Sequence, residues 1–426
     1  MSMGTIITAI SARPAYSNRG TPAVEVTVQT ANGTVGKALS CCGTSIGRYE
    51  AACLFDGGEA FDGRGVTRAA KQVNTILAPA LIGQDALLQS ACDSLILELG
   101  KEKLGANATA SVSSAILKTA AKAAGMELFE RIGGTSAFMM PVPAHNAATG
   151  CMRYGGKVSA GNKPTYSFVS YGFDTYDEAA YALWELVMDW ADFMTAHLGI
   201  KVMIDNGFNI PKNRLSSDEE LWKMMSDMIE RHHMAGRIGI QVDVGASGFF
   251  NRKTGMYEGI FSPEPKTRED MIELICDMPR KYPFVIIEDP LDCDDFDGFS
   301  QITSRTGIQI VGDDLFATNH DRLMEGIRKK AANCILISPA QIGTVTEAFQ
   351  LAVLARENGY GITVSGSRGE EVDICDYAVG LCCGTVRECG LSFSGNRLMK
   401  IQEIIGRRAR FYGRYGISGA IGQRHP

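Results

Sequence analysis

Hydrophobic and polar positions alternate over residues 5–40, in the runs TIITAISARPAY, PAVEVTVQT and GTVGKALS. Alternation with a period of two is typical of β-strands that bury one face. Asn32-Gly33, between the second and third runs, is a dipeptide that favours a tight hairpin turn. The pattern therefore predicts a three-stranded antiparallel meander.

The pattern changes to helical periodicity between about residues 66 and 130. Apolar residues recur three and four positions apart in VTRAAKQVNTILAPALI, ALLQSACDSLILEL and TASVSSAILKTAAKAAGMELFERI, which favours amphipathic helices. Gly133-Gly134 then end the last of these segments. Residues 1–135 are therefore predicted to form a small α+β domain.

Beyond MMPVPAH, short apolar runs alternate with helical segments. The runs are RIGIQVDV, FVIIEDP, IQIVGDD, CILISP and GITVSG, and each precedes a loop and a helix. Strands that are apolar on both faces are typical of parallel sheets covered by helices. Residues 136–426 are therefore predicted to form an α/β domain, a (β/α)8 barrel of the TIM type.

Composition excludes several classes of protein. Of the 426 residues, 45% are hydrophobic and 21% are charged, and no run approaches the roughly 20 apolar residues that a membrane span needs. The net charge of −6 argues against nucleic acid as a partner. The N-terminus MSMGTIITAI has no basic segment ahead of a long apolar core, so no secretory signal is predicted and the cytoplasm is the expected location.

The chain has twelve cysteines, with two adjacent pairs at Cys41-Cys42 and Cys382-Cys383. No CxxC motif or Cys/His cluster at zinc spacing is present, which argues against a structural zinc site. The cysteines are interpreted as small buried residues in the thiol form. A redox role for the adjacent pairs is the alternative.

Three predicted strands end in carboxylates: Asp243 in QVDVGAS, Glu288 in IIEDPL and Asp313 in VGDDLF. The carboxyl ends of barrel strands meet at one mouth, so three oxygen ligands of the kind that Mg²⁺ prefers would converge there. The alternative is that each acid is solvated in a loop or caps the following helix. Three carboxylates at one mouth repel one another unless a cation or protons compensate them, which favours a magnesium site.

Nearly the whole chain resembles the enolase family, the phosphopyruvate hydratases of glycolysis. The resemblance rests on segments in the family's order, namely SNRGTPAVEV, APALIG, KLGANA, MPVPAHNA, DVGASGFFNRKTGMYEG, KYPFVIIEDPLDCDD, VGDDLFATN, QIGTVTEA and NRLMKIQEI. It implies a meander and helical cap over a modified (β/α)8 barrel. It also implies that Asp243, Glu288 and Asp313 hold a high-affinity Mg²⁺.

The resemblance implies a reaction that removes a proton from carbon 2 of 2-phosphoglycerate and then the hydroxyl from carbon 3. The family's base is a lysine in a segment like LLLKVNQIGT, and CILISPAQIGT places Ser338 at that position. A serine hydroxyl, whose pKa lies far above neutral, cannot accept this proton without a base of its own. Lys163 and His145, near the second barrel segment, are interpreted as ordinary surface and core residues.

Other catalytic positions of the family also differ. The glutamate of its GDEGGFAP segment falls on Asp205 or Asn206, depending on a one-residue gap. The glutamate of its QEFM segment falls on Ser167, and the histidine of its GGSHA loop on Arg153. These positions are therefore expected to have lost their catalytic groups.

Substrate-binding positions are altered as well. The serine of the family's mobile lid, a ligand of a second Mg²⁺, is replaced by Cys42, so only one Mg²⁺ site is expected. The phosphate-binding segment reads SGSRGEEVD, with Ser367 and Arg368 as its anion-binding candidates. The lysine of the GQIKTG segment is Arg387, a cation too basic to take the proton.

These departures lead to the hypothesis of a non-catalytic enolase-like pseudoenzyme that acts as a scaffold, interaction or regulatory protein. A positioned acid or base contributes about 10²- to 10⁴-fold in rate, and several have changed together. Such a protein would still bind Mg²⁺ or a small anion. The alternative is a divergent metal-dependent lyase of the phosphopyruvate hydratase type or a related one.

The resemblance also implies a homodimer. In the family an arginine and a glutamate near the meander meet the C-terminal segment of the partner subunit, and Arg19, Glu25 and Arg414 match these positions. A solvated surface side chain is the alternative for each. Further protein partners are not specified by the sequence.

Overall fold

The computed structural model describes residues 3–43, 46–150, 153–156, 161, 163–199, 201–202, 208–370, 372–387 and 393–415. Its N-terminal sheet has three antiparallel strands, β1 (Ile7–Tyr16), β2 (Pro22–Thr30) and β3 (Val35–Ser40). The turn between β2 and β3 contains Gly33, with a φ of 82° that glycine adopts without steric penalty. The predicted meander is confirmed.

Six helices of the described residues pack on this sheet or on one another. They are α1 (Thr67–Gln72), α2 (Ala78–Leu81), α3 (Gln89–Glu98), α4 (Lys101–Leu104), α5 (Ala106–Ala123) and α6 (Leu128–Gly133). Helix α5 lies against β2 and β3, and the Ser111 hydroxyl donates to the Val24 carbonyl at 2.8 Å. Gly36 permits this close approach, since a Cβ there would lie 2.2 Å from the Thr119 hydroxyl oxygen. The sheet and its helices enclose an apolar core of their own.

The C-terminal domain is built around a closed barrel. Its strands are β4 (Met139–Met140), β5 (Val142–Ala148), β6 (Thr165–Ser170), β7 (Ile238–Asp243), β8 (Phe250–Asn251), β9 (Met256–Tyr257), β10 (Phe284–Glu288), β11 (Gln309–Gly312), β12 (Cys334–Leu336), β13 (Gly361–Ser365), β14 (Thr385–Arg387) and β15 (Arg410–Phe411). Eight of them close in the order β5, β6, β7, β10, β11, β12, β13, β14. The five apolar runs singled out in the sequence form β7, β10, β11, β12 and β13, which are parallel as predicted.

Strand β6 is the modification of this barrel, because it runs antiparallel to both β5 and β7. Its N-terminal residue Thr165 pairs with Asp243, the C-terminal residue of β7. The start of β6 therefore lies at the same mouth as the carboxyl ends of the parallel strands.

Helices surround the barrel and complete its core. They are α7 (Tyr176–Leu198), α8 (Asp218–Arg231), α9 (Arg268–Lys281), α10 (Phe296–Thr306), α11 (His320–Lys329), α12 (Pro339–Ile342), α13 (Val345–Glu357), α14 (Asp373–Gly380) and α15 (Phe393–Ile405). Side-chain caps fix several starts; the Thr267 and Asn319 side chains, for example, accept backbone N–H groups of α9 and α11. None of the described helices is long and apolar enough to cross a membrane.

The two domains are joined by buried and half-buried polar contacts. Lys101 of α4 pairs with Glu347 of α13 at 2.6 Å, and Lys118 of α5 pairs with Asp373 of α14 at 2.6 Å. The N-terminal domain therefore lies directly on the barrel, and the loop after β3 reaches the barrel mouth.

Candidate active site

The strand ends bring the three predicted acids to one mouth. Asp243 and Glu288 are the last residues of β7 and β10 and are register partners, and Asp313 directly follows β11. All three are buried, with exposures of 1%, 1% and 7%. Carboxylate oxygens of Glu288, Asp289 and Asp313 lie within 4.8 Å of one another. The parallel register of neighbouring strands is what makes them converge.

Asp289 is a member of this cluster that the sequence analysis did not single out. Its carboxylate accepts the backbone N–H groups of Asp313, Asp314 and Leu315 at 2.7–3.3 Å. It therefore fixes the loop that presents Asp313. The signal in the sequence is the second acid of the IEDP segment, directly after Glu288.

Buried cations face the acids. Arg387, the last residue of β14, pairs with Asp243 and places Nη2 3.1 Å from Oε1 of Glu288. Lys163 also pairs with Asp243, because the reversed β6 begins at this mouth. Burial first, and then the Arg387 charge, lower the pKa of Lys163 to about 8. The interpretation of Lys163 as an ordinary surface residue is therefore wrong, since its side chain is 15% exposed.

Several carboxylate oxygens of the cluster lack a hydrogen-bond donor among the described residues. These buried atoms are Oδ1 of Asp243 and both carboxylate oxygens of Glu288; Arg387 contacts Glu288 without hydrogen-bond geometry. Buried carboxylate oxygens without hydrogen-bond donors are costly unless cations compensate their charge, and Arg387 and Lys163 supply part of that compensation. The donor set therefore fits a hard cation such as Mg²⁺, and the assignment of Asp243, Glu288 and Asp313 as its ligands stays a prediction.

Ser338 lies where strand β12 gives way to α12, with Pro339 as the first residue of that helix. Its hydroxyl is buried and donates to Oε1 of Glu370 at 2.8 Å. Oε2 of Glu370 accepts the backbone N–H of Arg368 at 3.0 Å. Glu370 was not predicted as a site residue, although it lies in SGSRGEEVD, the segment of the predicted anion-binding residues.

The loop after β3 covers the mouth from the N-terminal domain. Glu50 pairs with the guanidinium of Arg368 at 2.7 Å, and both side chains are about 5% exposed or less. Tyr49 donates to Asp294 at 2.6 Å, and the guanidinium of Arg322 lies 3.7 Å from its ring centre. These contacts hold the loop against the barrel.

Two family profiles match the chain over most of its length. The one described as "Enolase, N-terminal domain" matches residues 7–132, and the one described as "Enolase, C-terminal TIM barrel domain" matches residues 137–418. The chain belongs to the enolase family. The fold that the resemblance implied is thereby confirmed.

Curated proteins named Enolase are similar to this chain over almost all of its length. The protein of Methanopyrus kandleri is 36% identical over 95% of this chain and 97% of its own. The protein of Thermococcus gammatolerans is 36% identical over 93% and 94%, and that of Methanococcus vannielii is 35% identical over 93% of each. These relatives contradict the hypothesis of a non-catalytic pseudoenzyme and favour the alternative, a divergent lyase.

Cys42, at the enolase lid position, is bonded to Cys53 in a disulfide. The expectation that the cysteines are all free thiols is therefore wrong for this pair, because the loop after β3 folds back and brings the two sulfurs together. The sulfur of Cys42 is not available as a metal ligand in this form. Eight other cysteines of the described residues form no disulfide, and most of them are buried.

Three other positions matched to enolase site residues form polar contacts with neighbouring side chains. Arg153 forms a buried ion pair with Asp218 at 2.8 Å, and Ser167 donates to Asn146 at 2.9 Å. Ser367 accepts from Arg368 Nη1 at 3.0 Å. Asp205 and Asn206 lie outside the described residues.

Of the positions matched to the enolase dimer contact, Glu25 is the best described. It accepts from Arg13 at 3.0 Å and lies 3.9 Å from Lys37. Arg19 lies half-buried in the turn before β2, and the side chain of Arg414 lies outside the described part of the chain. The dimer stays a prediction.

Proposed function

We propose that this chain is an active magnesium-dependent carbon–oxygen lyase of the phosphopyruvate hydratase type, which dehydrates 2-phosphoglycerate or a closely related acid. The observation that carries the proposal is the cluster of buried carboxylate oxygens without hydrogen-bond donors, faced by Arg387 and Lys163. The name Enolase of relatives that match nearly the whole chain supports it.

Asp243, Glu288 and Asp313 would hold one Mg²⁺ at the barrel mouth. When bound, the ion would supply Lewis-acid stabilisation of the negative charge that develops on the substrate carboxylate as the α-proton leaves. The three residues are buried at neighbouring strand ends, so they would hold the ion on rigid elements.

Arg387 and Lys163 would orient the anionic substrate. They are nearly buried, with side-chain exposures of 6% and 15%, so their attraction for a carboxylate or phosphate is weakly screened by solvent. Ser367 and Arg368 are the further candidates for binding the phosphate. Arg368 is already paired with Glu50, and we infer that this pair also keeps the loop after β3 closed over the bound substrate.

The test is the ultraviolet absorbance of the enol product, with purified protein, Mg²⁺ and 2-phosphoglycerate. We expect Mg²⁺-dependent turnover of roughly 1–10³ s⁻¹, the range of ordinary enzymes. Arg387→Met should lower kcat/KM by about 10²-fold or more, the usual cost of losing a preorganised charge. Arg305→Met, which removes an arginine paired with Glu273 on the outer helices, is the matched control. Absence of product from the wild-type protein would refute the proposal.

The proposal extends to a homodimer that works in the cytoplasm. Support for the dimer comes from Arg19 and Glu25 on the meander, at the positions that the family uses for its subunit contact. The intrachain partners of Glu25 are at the surface, with Arg13 64% and Lys37 60% exposed. A partner arginine could therefore replace them at little cost.

A further inference from the structure

Ser338, at the position of the family's lysine, has a hydrogen-bond partner that the enolase-like segments do not explain. Ser338, between β12 and α12, has a hydroxyl that alone is far too weak a base, yet this hydroxyl donates at 2.8 Å to the carboxylate of Glu370. Ser338 is fully buried and Glu370 is 8% exposed. A serine held on a buried carboxylate is the arrangement of a nucleophile or proton relay with its base.

The surroundings of Glu370 keep its carboxylate oriented, and none of the described residues forms an ion pair with it within salt-bridge distance. Besides the Ser338 hydroxyl, the carboxylate accepts the backbone N–H of Arg368, while the Arg368 guanidinium is paired with Glu50. Burial raises the pKa of Glu370 above its ordinary value, and hydrogen bonds from its own backbone N–H and from Ser338, together with the Arg368 charge, lower it in part. Such a carboxylate is a stronger base than a solvated one.

Two sets of contacts connect Ser338 and Glu370 to Asp313, one of the predicted metal ligands. The Ser338 backbone N–H donates to Thr318 at 3.1 Å, Thr318 donates to Gln341 at 2.6 Å, and Gln341 donates to Asp313. On the other side, the guanidinium of Arg368 lies 3.8 Å from Asp313. The pair is therefore built into the same mouth as the carboxylate cluster.

The position of Ser338 in the barrel separates the Ser338–Glu370 pair from Lys163, the other basic group at the mouth. In the closed order, β12 and β6 are four strands apart in a ring of eight, so Ser338 and Lys163 enter the mouth from opposite sides. A substrate held between them would present one face to Ser338 and the other to Lys163. Lys163 is also occupied by its ion pair with Asp243.

We propose that Ser338 and Glu370 together are the proton acceptor of this protein, in place of the family's lysine. Oγ of Ser338 takes the α-proton of the substrate while its own hydroxyl proton passes to Oε1 of Glu370. The carbon–hydrogen bond breaks, its electron pair stays on the substrate as the enolate, and Glu370 ends the step as a neutral carboxylic acid. This inference rests on the proposed function, because it names the base of that reaction.

The test measures exchange of the α-hydrogen of 2-phosphoglycerate with deuterated solvent, by mass spectrometry, in parallel with product formation. We expect exchange by the wild-type protein, and losses of about 10²- to 10⁴-fold in both exchange and kcat for Glu370→Gln and Ser338→Ala. Glu370→Asp should recover part of the rate, because it keeps the carboxylate. Ser170→Ala, which removes a buried hydroxyl that donates to the Ala179 carbonyl, is the matched control and should keep full exchange.

Folding of each variant is checked by its thermal unfolding and by its thermal shift with Mg²⁺. If Glu370→Gln does not fold, the same exchange measurement on Glu370→Asp and Ser338→Ala tests the inference. A folded Glu370→Gln or Ser338→Ala variant that exchanges the α-hydrogen within a few-fold of wild type overturns the inference and leaves the proposed function intact. Wild-type exchange that depends on Glu370 but yields no dehydrated product supports the inference and refutes the proposed function. Absence of wild-type exchange overturns the inference, and absence of product with it overturns both.

Discussion

Replacement of Asp218 by asparagine should destabilise the protein by roughly 3–5 kcal/mol, the cost of leaving a buried charge without its partner. The Asp218 carboxylate accepts from Arg153 Nε at 2.9 Å and Nη2 at 2.8 Å, and from the hydroxyls of Tyr154 and Tyr166 at 2.9 and 2.7 Å. The side chains of the ion pair are 3% and 0% exposed. Without the carboxylate charge, Arg153 keeps neutral acceptors, namely the Thr149 carbonyl and the amide oxygen of the new asparagine, and its buried charge has lost its counter-charge.

Replacement of Arg153, the other member of the ion pair, should destabilise the protein less. Arg153→Met removes the guanidinium but leaves the carboxylate with two phenol donors, so we expect a loss of about 2–3 kcal/mol, closer to the cost of hydrogen bonds to a charged group. Both variants are compared by urea unfolding, followed by circular dichroism. Asp227→Asn is the control, because its pair with Lys223 is largely exposed and should contribute less than about 1 kcal/mol.

The kcat of Arg153→Met distinguishes a structural role of Arg153 from a catalytic one. If the guanidinium only holds Asp218, Arg153→Met should keep the wild-type kcat at a temperature where it is folded. A loss below about 1 kcal/mol for Asp218→Asn would refute the electrostatic argument. A large fall in kcat for a fully stable Arg153→Met would instead assign Arg153 a role in the reaction.

Three other outcomes follow from the site and the N-terminal domain. Mg²⁺ at a hundred times its dissociation constant should stabilise the protein by about 2.7 kcal/mol, seen as a thermal shift that Asp243→Asn abolishes; an unchanged shift in that variant would remove the residue from the ligand set. Reduction of the Cys42–Cys53 disulfide, which spans 11 positions, should lower the free energy of unfolding by about 3 kcal/mol; equal urea midpoints for the oxidised and reduced forms would contradict this. Light scattering at micromolar protein should give twice the 45.9 kDa of the chain and a lower mass for Glu25→Lys; a wild-type mass of one chain would refute the dimer.

Local pattern was sufficient for most of the fold. Alternation with Asn32-Gly33 specifies the meander because a hairpin is formed by residues close in sequence. Buried apolar runs followed by helices specify the parallel strands because a strand that is apolar on both faces needs helices to cover them. The convergence of Asp243, Glu288 and Asp313 could be predicted because each is at the end of such a strand, and barrel strands share one mouth.

Contacts between distant residues decided the rest. The reversal of β6 brings Lys163 to Asp243, 80 positions away in sequence, and no local pattern records the direction of that strand. Ser338 and Glu370 are 32 positions apart and meet only because β12 and β13 are neighbours in the barrel. The sequence alone determined that a serine stands where the family has a lysine. Only the tertiary structure supplied the carboxylate beside it, because closure of the barrel fixes which loops share the mouth.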